Sequence, residues 1–184
     1  GFAATSVPFA YAIAGLADRE DRSWMRPALR WSFFTIGILG TGILMGGAWA
    51  YEALSFGGFW AWDPVENSSL VPWLTTVAGG HLLLINRNRQ KPLALFSTYY
   101  FLLISFLLVL YSTFLTKSGI LGDTSVHSFV DSGILPQLLV YLLSFLALGH
   151  LMLLRPGVWR NRALIAIGIL VIICLKGYVI EALT

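Results

Sequence analysis

The chain has 184 residues, 57% of them hydrophobic and 11% charged, with a formal net charge of +3. A mean hydropathy of +0.76 with so few charges excludes a soluble globular domain and places the chain among polytopic membrane proteins. The basic balance, with a pI near 9.2, does not point to nucleic acid, because the cations gather in short loops between apolar runs.

Six apolar runs follow one another, each close to the length that crosses roughly 30 Å of hydrocarbon. They cover residues 1–17, 31–51, 69–85, 93–115, 134–154 and 163–180. The expected fold is all-α: a polytopic transmembrane bundle of about six spans, forming one domain over 1–184 without repeats or low-complexity segments. The first run is slightly short and does not begin with Met. It has no basic n-region and no cleavage pattern, so it reads as the opening of a piece of a longer protein and not as a signal peptide.

Loop 18–30 carries Arg19, Arg22, Arg26 and Arg30; loop 86–92 carries Arg87, Arg89 and Lys91; loop 155–162 carries Arg155, Arg160 and Arg162. The alternate loops, 52–68 and 116–133, hold only Lys117. Cations on alternate loops predict that the arginine-rich loops face the cytoplasm and that both ends of the chain lie on the outer face. Lys176, inside the last run, can snorkel outward. In the second run, Gly37, Gly40, Gly42, Gly46 and Gly47 would let neighbouring helices approach, with Gly42 and Gly46 in a GxxxG pattern.

Loop 52–68 is the most unusual segment. It contains Gly57-Gly58-Phe59-Trp60-Ala61-Trp62-Asp63-Pro64-Val65-Glu66-Asn67. Trp60 and Trp62, with Trp49 and Trp73 near in sequence, predict a flat apolar ledge at the membrane boundary, suited to a flat apolar cofactor. Asp63 reads as an N-cap, Pro64 as the first helical residue and Glu66 as the third, a capping box. Helix capping suffices to explain both carboxylates. Trp31, Tyr51, Trp73, Trp159 and Tyr178 lie near run ends, where aromatic belts are expected.

Three histidines differ in setting. His81 follows Gly79-Gly80 in an apolar run, so its imidazole needs either an interhelical hydrogen bond or a ligand such as haem iron. His127 lies in loop 116–133, on the same face as the tryptophans, and reads either as a solvated loop residue or as a haem ligand. His150, near the end of the fifth run, reads as an interfacial anchor or a local hydrogen-bond donor. The single cysteine, Cys174, reads as a packing residue; without a CxxC pair, thiol–disulfide chemistry does not belong to this chain.

Residues 57–74, GGFWAWDPVENSSLVPWL, resemble the tryptophan-rich WWD signature of haem-handling proteins in cytochrome c biogenesis. The Val-Glu-Asn that follows Asp-Pro is similar to the CcmF branch. So are Gly46-Gly47-Ala48-Trp49-Ala50-Tyr51-Glu52 upstream and Thr116-Lys117-Ser118-Gly119-Ile120-Leu121 with Ser125-Val126-His127 downstream. The resemblance implies that His127 ligates delivered haem over the WWD loop (Trp49, Phe59, Trp60, Trp62 and Asp63), and that His81 ligates a resident haem b. The second ligand of each pair would then fall before Gly1 and after Thr184. His150 matches no ligand position. Phe56 and Phe59 stand where Trp or Tyr is frequent, which keeps apolar contact and loses a polar handle.

The activity implied is that of a haem lyase component. Haem arriving on a CcmE-type chaperone would be positioned for thioether attachment to the CxxCH of apocytochrome c, with CcmH- or CcmI-type subunits holding the peptide. The implied location is the bacterial inner membrane, with the WWD loop on the periplasmic side. Two alternatives stand beside it: a haem-export or single-protein synthase relative of the CcsA or CcmC kind, and a transporter or scaffold without haem. The near absence of charge within the runs argues against an ion-coupled transporter.

Overall fold

A computed structural model describes residues 1–19, 21–53, 58–121, 125, 133–154, 157 and 160–167. Five helices follow in order: α1 (Phe2–Ala17), α2 (Met25–Ala53), α3 (Pro64–Asn86), α4 (Leu95–Lys117) and α5 (Leu135–Leu153). Residues 160–167 are helical as well. Each of the first five apolar runs forms one helix. The sixth run, with Cys174, Lys176 and Tyr178, lies mostly outside the described residues, as does Trp159. Among the described residues, α2 to α5 are the four helices long and apolar enough to cross a membrane. Among the described residues that criterion gives four spans where about six were expected: α1 has only 16 residues, and the sixth run lies mostly outside the described residues.

The helix α2 begins at Met25, upstream of the run expected at 31–51. Arg26 and Arg30 interrupt the hydropathy there but continue the helix, as straight-chain residues do at little cost. A local turn leads into it. The Asp21 carboxylate accepts from the Ser23 backbone N–H at 2.8 Å and the Ser23 hydroxyl at 2.6 Å. These bonds, the hydroxyl's above all, hold the Asp21 carboxyl below its ordinary range.

The central element is α4. Half of its apolar window is buried, against 17–28% for the other three spanning helices. Phe9, Ala12 and Leu16 of α1, Leu102, Leu103, Phe106, Leu107 and Leu110 of α4, and Met152 of α5 form its buried surroundings. The Phe106 ring lies 4.9 Å from Phe9 and 5.4 Å from Phe145. Lipid tails remove much of the hydrophobic drive between helices, so close packing and interhelical hydrogen bonds must carry association. Ser105 donates to Thr75 at 2.9 Å, and Ser68 and Ser112 share a bond of 2.8 Å, both between α3 and α4. Thr35 of α2 donates to the Ala4 carbonyl of α1 at 2.7 Å.

Trp73, expected in an aromatic belt, instead pins α3 to α2. Its indole N–H donates to the Ile36 carbonyl at 3.0 Å, and a Cβ on Gly40 would fall 2.8 Å from that nitrogen. A hydrogen-bonding indole beside a glycine makes a closer helix contact than two aliphatic side chains allow.

The cations do more than orient the chain. The Arg19 guanidinium donates to the carbonyls of Met152, Leu153 and Leu154 at 3.0, 3.0 and 2.6 Å, closing the end of α5. Arg22 donates to the Gln90 carbonyl at 2.6 Å. Buried Asn86 holds the α3–α4 connection through the Leu93 carbonyl at 2.9 Å and the Leu93 N–H at 2.7 Å.

Trp24 lies buried on Tyr99, with ring centroids 4.9 Å apart, while the Tyr99 hydroxyl donates to the Gly15 carbonyl at 3.0 Å. A Cβ on Gly15 would come within 2.4 Å of the Trp24 ring. Gly15→Ala is therefore expected to destabilise the bundle by about 1–3 kcal/mol, although alanine is the better helix former. Gly37→Ala, where nothing lies within 4 Å of the added atom, is expected to be neutral or slightly stabilising. Unfolding in mixed micelles, monitored by tryptophan fluorescence, separates the two; equal stabilities would contradict the packing at Gly15.

Candidate functional site

The tryptophan segment sits where α2 ends and α3 begins, and its shape follows from the residues just after it. The side chain of Asp63 caps α3, accepting from the Val65 N–H at 2.7 Å, and the capping box with Glu66 is present. Glu66 also reaches further back: its Oε2 accepts from the Ala61 N–H at 2.9 Å and the Asp63 N–H at 3.2 Å. The Asn67 amide donates to the Trp62 carbonyl at 3.0 Å. The backbone on both sides of Trp62 is thus fixed by side chains of the first helical turn.

That fixation supports an unusual backbone. Trp62 has a φ of +59°, a left-handed conformation costly for a bulky residue, and Gly58 has a φ of +113°. The turn leaves the Trp62 side chain 71% exposed. Trp60, half-buried, meets it edge-on, with centroids 6.2 Å apart and an angle of 88° between rings. The indoles therefore make a right-angled corner, not the single flat ledge expected from the sequence; the left-handed backbone of Trp62 itself accompanies the turn of its ring out of the plane of Trp60.

Trp60 faces a cleft of about 230 Å³, bounded also by Trp49, Gly42, Gly46 and Gly47 of α2, and by Glu66, Ser69 and Ser112. Phe59 rests on Gly47, where a Cβ would fall 2.5 Å from the ring. Gly42 and Gly46, expected to pack a neighbouring helix, have nothing within 4 Å of an added Cβ and line the cleft instead. Enclosed sites for drug-sized ligands usually offer about 300–1,000 Å³, so this cleft suits the edge of a large flat group and leaves its remainder outside. Among the described residues no cluster of three or more His, Cys, Asp or Glu side chains is placed to hold a bare metal ion.

The loop expected at 52–68 is shorter, since α2 continues to Ala53 and α3 starts at Pro64; the loop expected at 116–133 starts after Lys117. His127 lies outside the described residues, as do Phe56 and Gly57. Ser125, two positions before His127, is described: its hydroxyl donates to Asp63 Oδ1 at 2.9 Å. One carboxylate therefore caps α3 and receives the second loop.

His81 lies near the opposite end of α3, about 25 Å from Pro64 along the axis at 1.5 Å per residue. Its side chain is exposed on the outside of the bundle, with Nδ1 2.8 Å from the Val77 carbonyl. A carbonyl only accepts, so Nδ1 carries the proton and Nε2 presents a lone pair. The Phe33 ring of α2 lies 6.2 Å from the imidazole. His150 is also exposed and makes the same kind of bond, to Leu146 at 2.8 Å.

Ala61, Asn67, Ser112 and Ser125 were not singled out as site residues from sequence. Asn67 was the most accessible of them, since an amide five positions after an exposed tryptophan can close back on the turn. The Ser125 contact joins segments 62 residues apart and has no local signal.

Residues 1–121 match the family described as Cytochrome C assembly protein. The cytochrome c-type biogenesis protein CcmF of Pseudomonas aeruginosa is 42% identical over 151 residues, covering 80% of this chain and 22% of that protein. CcmF of Escherichia coli K12 is 40% identical over 151 residues, with the same two shares. The NrfE biogenesis protein of Haemophilus influenzae is 36% identical over 166 residues, 85% of this chain and 25% of that protein. The solved structure of a cytochrome c haem lyase CcmF superposes with a TM-score of 0.57 at 28% identity, over 95% of this chain and 33% of that one. The chain spans about a fifth of the length of the curated relatives it matches.

Proposed function

Since the chain belongs to the cytochrome c assembly protein family, we propose that it is the haem-positioning segment of a CcmF-type haem lyase. The observation that carries this reading is the Ser125–Asp63 bond, which ties the loop containing His127 to the helix cap beneath the tryptophan corner. Delivered haem is the substrate of this end. The Trp60 cleft takes one edge of the macrocycle, the exposed Trp62 ring covers its surface, and His127 supplies an imidazole nitrogen to the iron.

The chemistry needs no leaving group. An apocytochrome c thiol adds across a haem vinyl group; the S–H bond and the C=C π bond are lost while C–S and C–H bonds form. The segment contributes placement: Glu66 and Asn67 fix the loop backbone, so little ordering is left to be done on binding. A CcmE-type chaperone as haem source, and CcmH- or CcmI-type subunits as holders of the peptide, belong to this same reading.

His81 would hold a resident haem b through Nε2 of its neutral imidazole, with Nδ1–H held by a carbonyl and an aromatic ring beside it. A bound haem b would supply one-electron chemistry. The alternating cations orient the tryptophan end to the periplasm, in a bacterial inner membrane.

His127→Ala tests the reading. The purified protein is expected to lose capture of haem from the holo-chaperone while keeping its resident Soret band. Capture at the wild-type level would overturn the assignment of His127.

A further inference from the structure

A second site lies at the arginine-rich end, away from the tryptophan corner. Arg26 and Arg30 at the start of α2, and Arg87 and Asn88 just past α3, line a pocket of about 240 Å³ floored by Leu29. Arg19 and Arg22 are committed to backbone carbonyls, but no side-chain hydrogen bond or ion pair joins the guanidinium of Arg26, Arg30 or Arg87 to another described residue. Nor does a carboxylate line the pocket among the described residues. Three guanidiniums converging without a counter-charge repel one another unless an anion joins them.

The surface beside the pocket indicates which anion. Arg26, Arg30 and Phe33 follow at i, i+4 and i+7, one stripe of α2. Phe33 is 43% exposed, and Leu84, one turn before Arg87, is 45% exposed. The cationic pocket therefore continues directly into apolar surface on both helices. A soluble anion uses only the first part; an amphiphile with an anionic head uses both. The alternating-cation pattern turns this end towards the cytoplasmic leaflet, where anionic lipids attract basic segments.

We propose that this pocket binds the phosphate of an anionic phospholipid, with an acyl chain lying along Phe33 and Leu84. Arg26 and Arg30 hold the phosphate from α2 and Arg87 holds it from the end of α3, each guanidinium offering paired N–H donors. The lipid thereby ties together the two helices that the tryptophan loop joins at their other ends. This assignment does not depend on the reading of the tryptophan corner, and it shares Phe33 with the resident-haem reading of His81.

Native mass spectrometry of the purified protein, titrated with phosphatidylglycerol, phosphatidylethanolamine or inorganic phosphate, tests it. Phosphatidylglycerol is expected to bind about tenfold more tightly than phosphatidylethanolamine. R26Q/R30Q/R87Q is expected to abolish that preference, and R89Q/K91Q/R162Q, with the same loss of charge, to keep it. Should the first triple variant fail to insert, Arg87→Gln alone is expected to reduce the preference about threefold. A preference that persists in R26Q/R30Q/R87Q or is unchanged in Arg87→Gln, or that is lost equally in both triple variants, overturns the pocket assignment. Displacement of the lipid by inorganic phosphate would reveal a soluble-anion site, and displacement by haem would give the guanidiniums to a carboxylate ligand; either result also overturns it.

Discussion

His81→Ala is expected to remove the resident haem band almost completely while leaving expression and insertion unchanged. The imidazole is exposed on the outer surface of the bundle, so its removal opens no cavity in the described core. Its one described hydrogen bond runs to Val77 on its own helix, so no interhelical bond to a described residue is lost. Any spectral change therefore reports ligation and not collapse. His150 provides the control: it has the same exposure and an equivalent backbone bond to Leu146. His150→Ala is expected to leave the spectrum intact, because the resemblance assigns it no ligand role. Retention of the band in His81→Ala would remove haem b from this helix.

The double variant Trp60→Ala, Trp62→Ala is expected to show the largest effect on delivered haem. Tryptophans at the centre of a binding surface commonly contribute about 2 kcal/mol or more each, which corresponds to roughly thirtyfold in Kd. The two rings have separable roles. Trp60 walls the cleft, so its loss enlarges the space and removes contact at the haem edge. Trp62 touches little of the rest of the protein, being 71% exposed, so its loss is expected to weaken haem capture without lowering stability. A loss of stability equal to the loss of capture would make the corner a structural feature only.

Local chemistry was legible in the sequence and packing was not. The Asp63-Pro64-Glu66 cap could be read because every partner lies within one helical turn. The helices themselves were evident from apolar length, except at the start of α2, where Arg26 and Arg30 masked a continuing helix. The close approach expected at the α2 glycines holds at some of them only, because composition does not reveal which meet a neighbour. Gly40 and Gly47 seat Trp73 and Phe59, whereas Gly42 and Gly46 open onto the cleft. Trp73 looked like a belt residue until the α2 carbonyl that receives its N–H was known. The corner formed by Trp60 and Trp62 depends on one left-handed residue, and spacing alone suggested a plane. Similarly, the arginines read as a topological signal, whereas Arg19 also closes the end of α5.

The most direct test of the tryptophan corner uses the His81→Ala background, in which the resident band no longer obscures the spectrum. Ferric haem is titrated into the purified protein, and the Soret change is followed with Trp60 and Trp62 intact or both replaced by alanine. Saturable binding with the indoles present, weakened by about thirtyfold or more without them, is the expected result. Superimposable titrations would show that haem binds elsewhere and that the corner is not its seat.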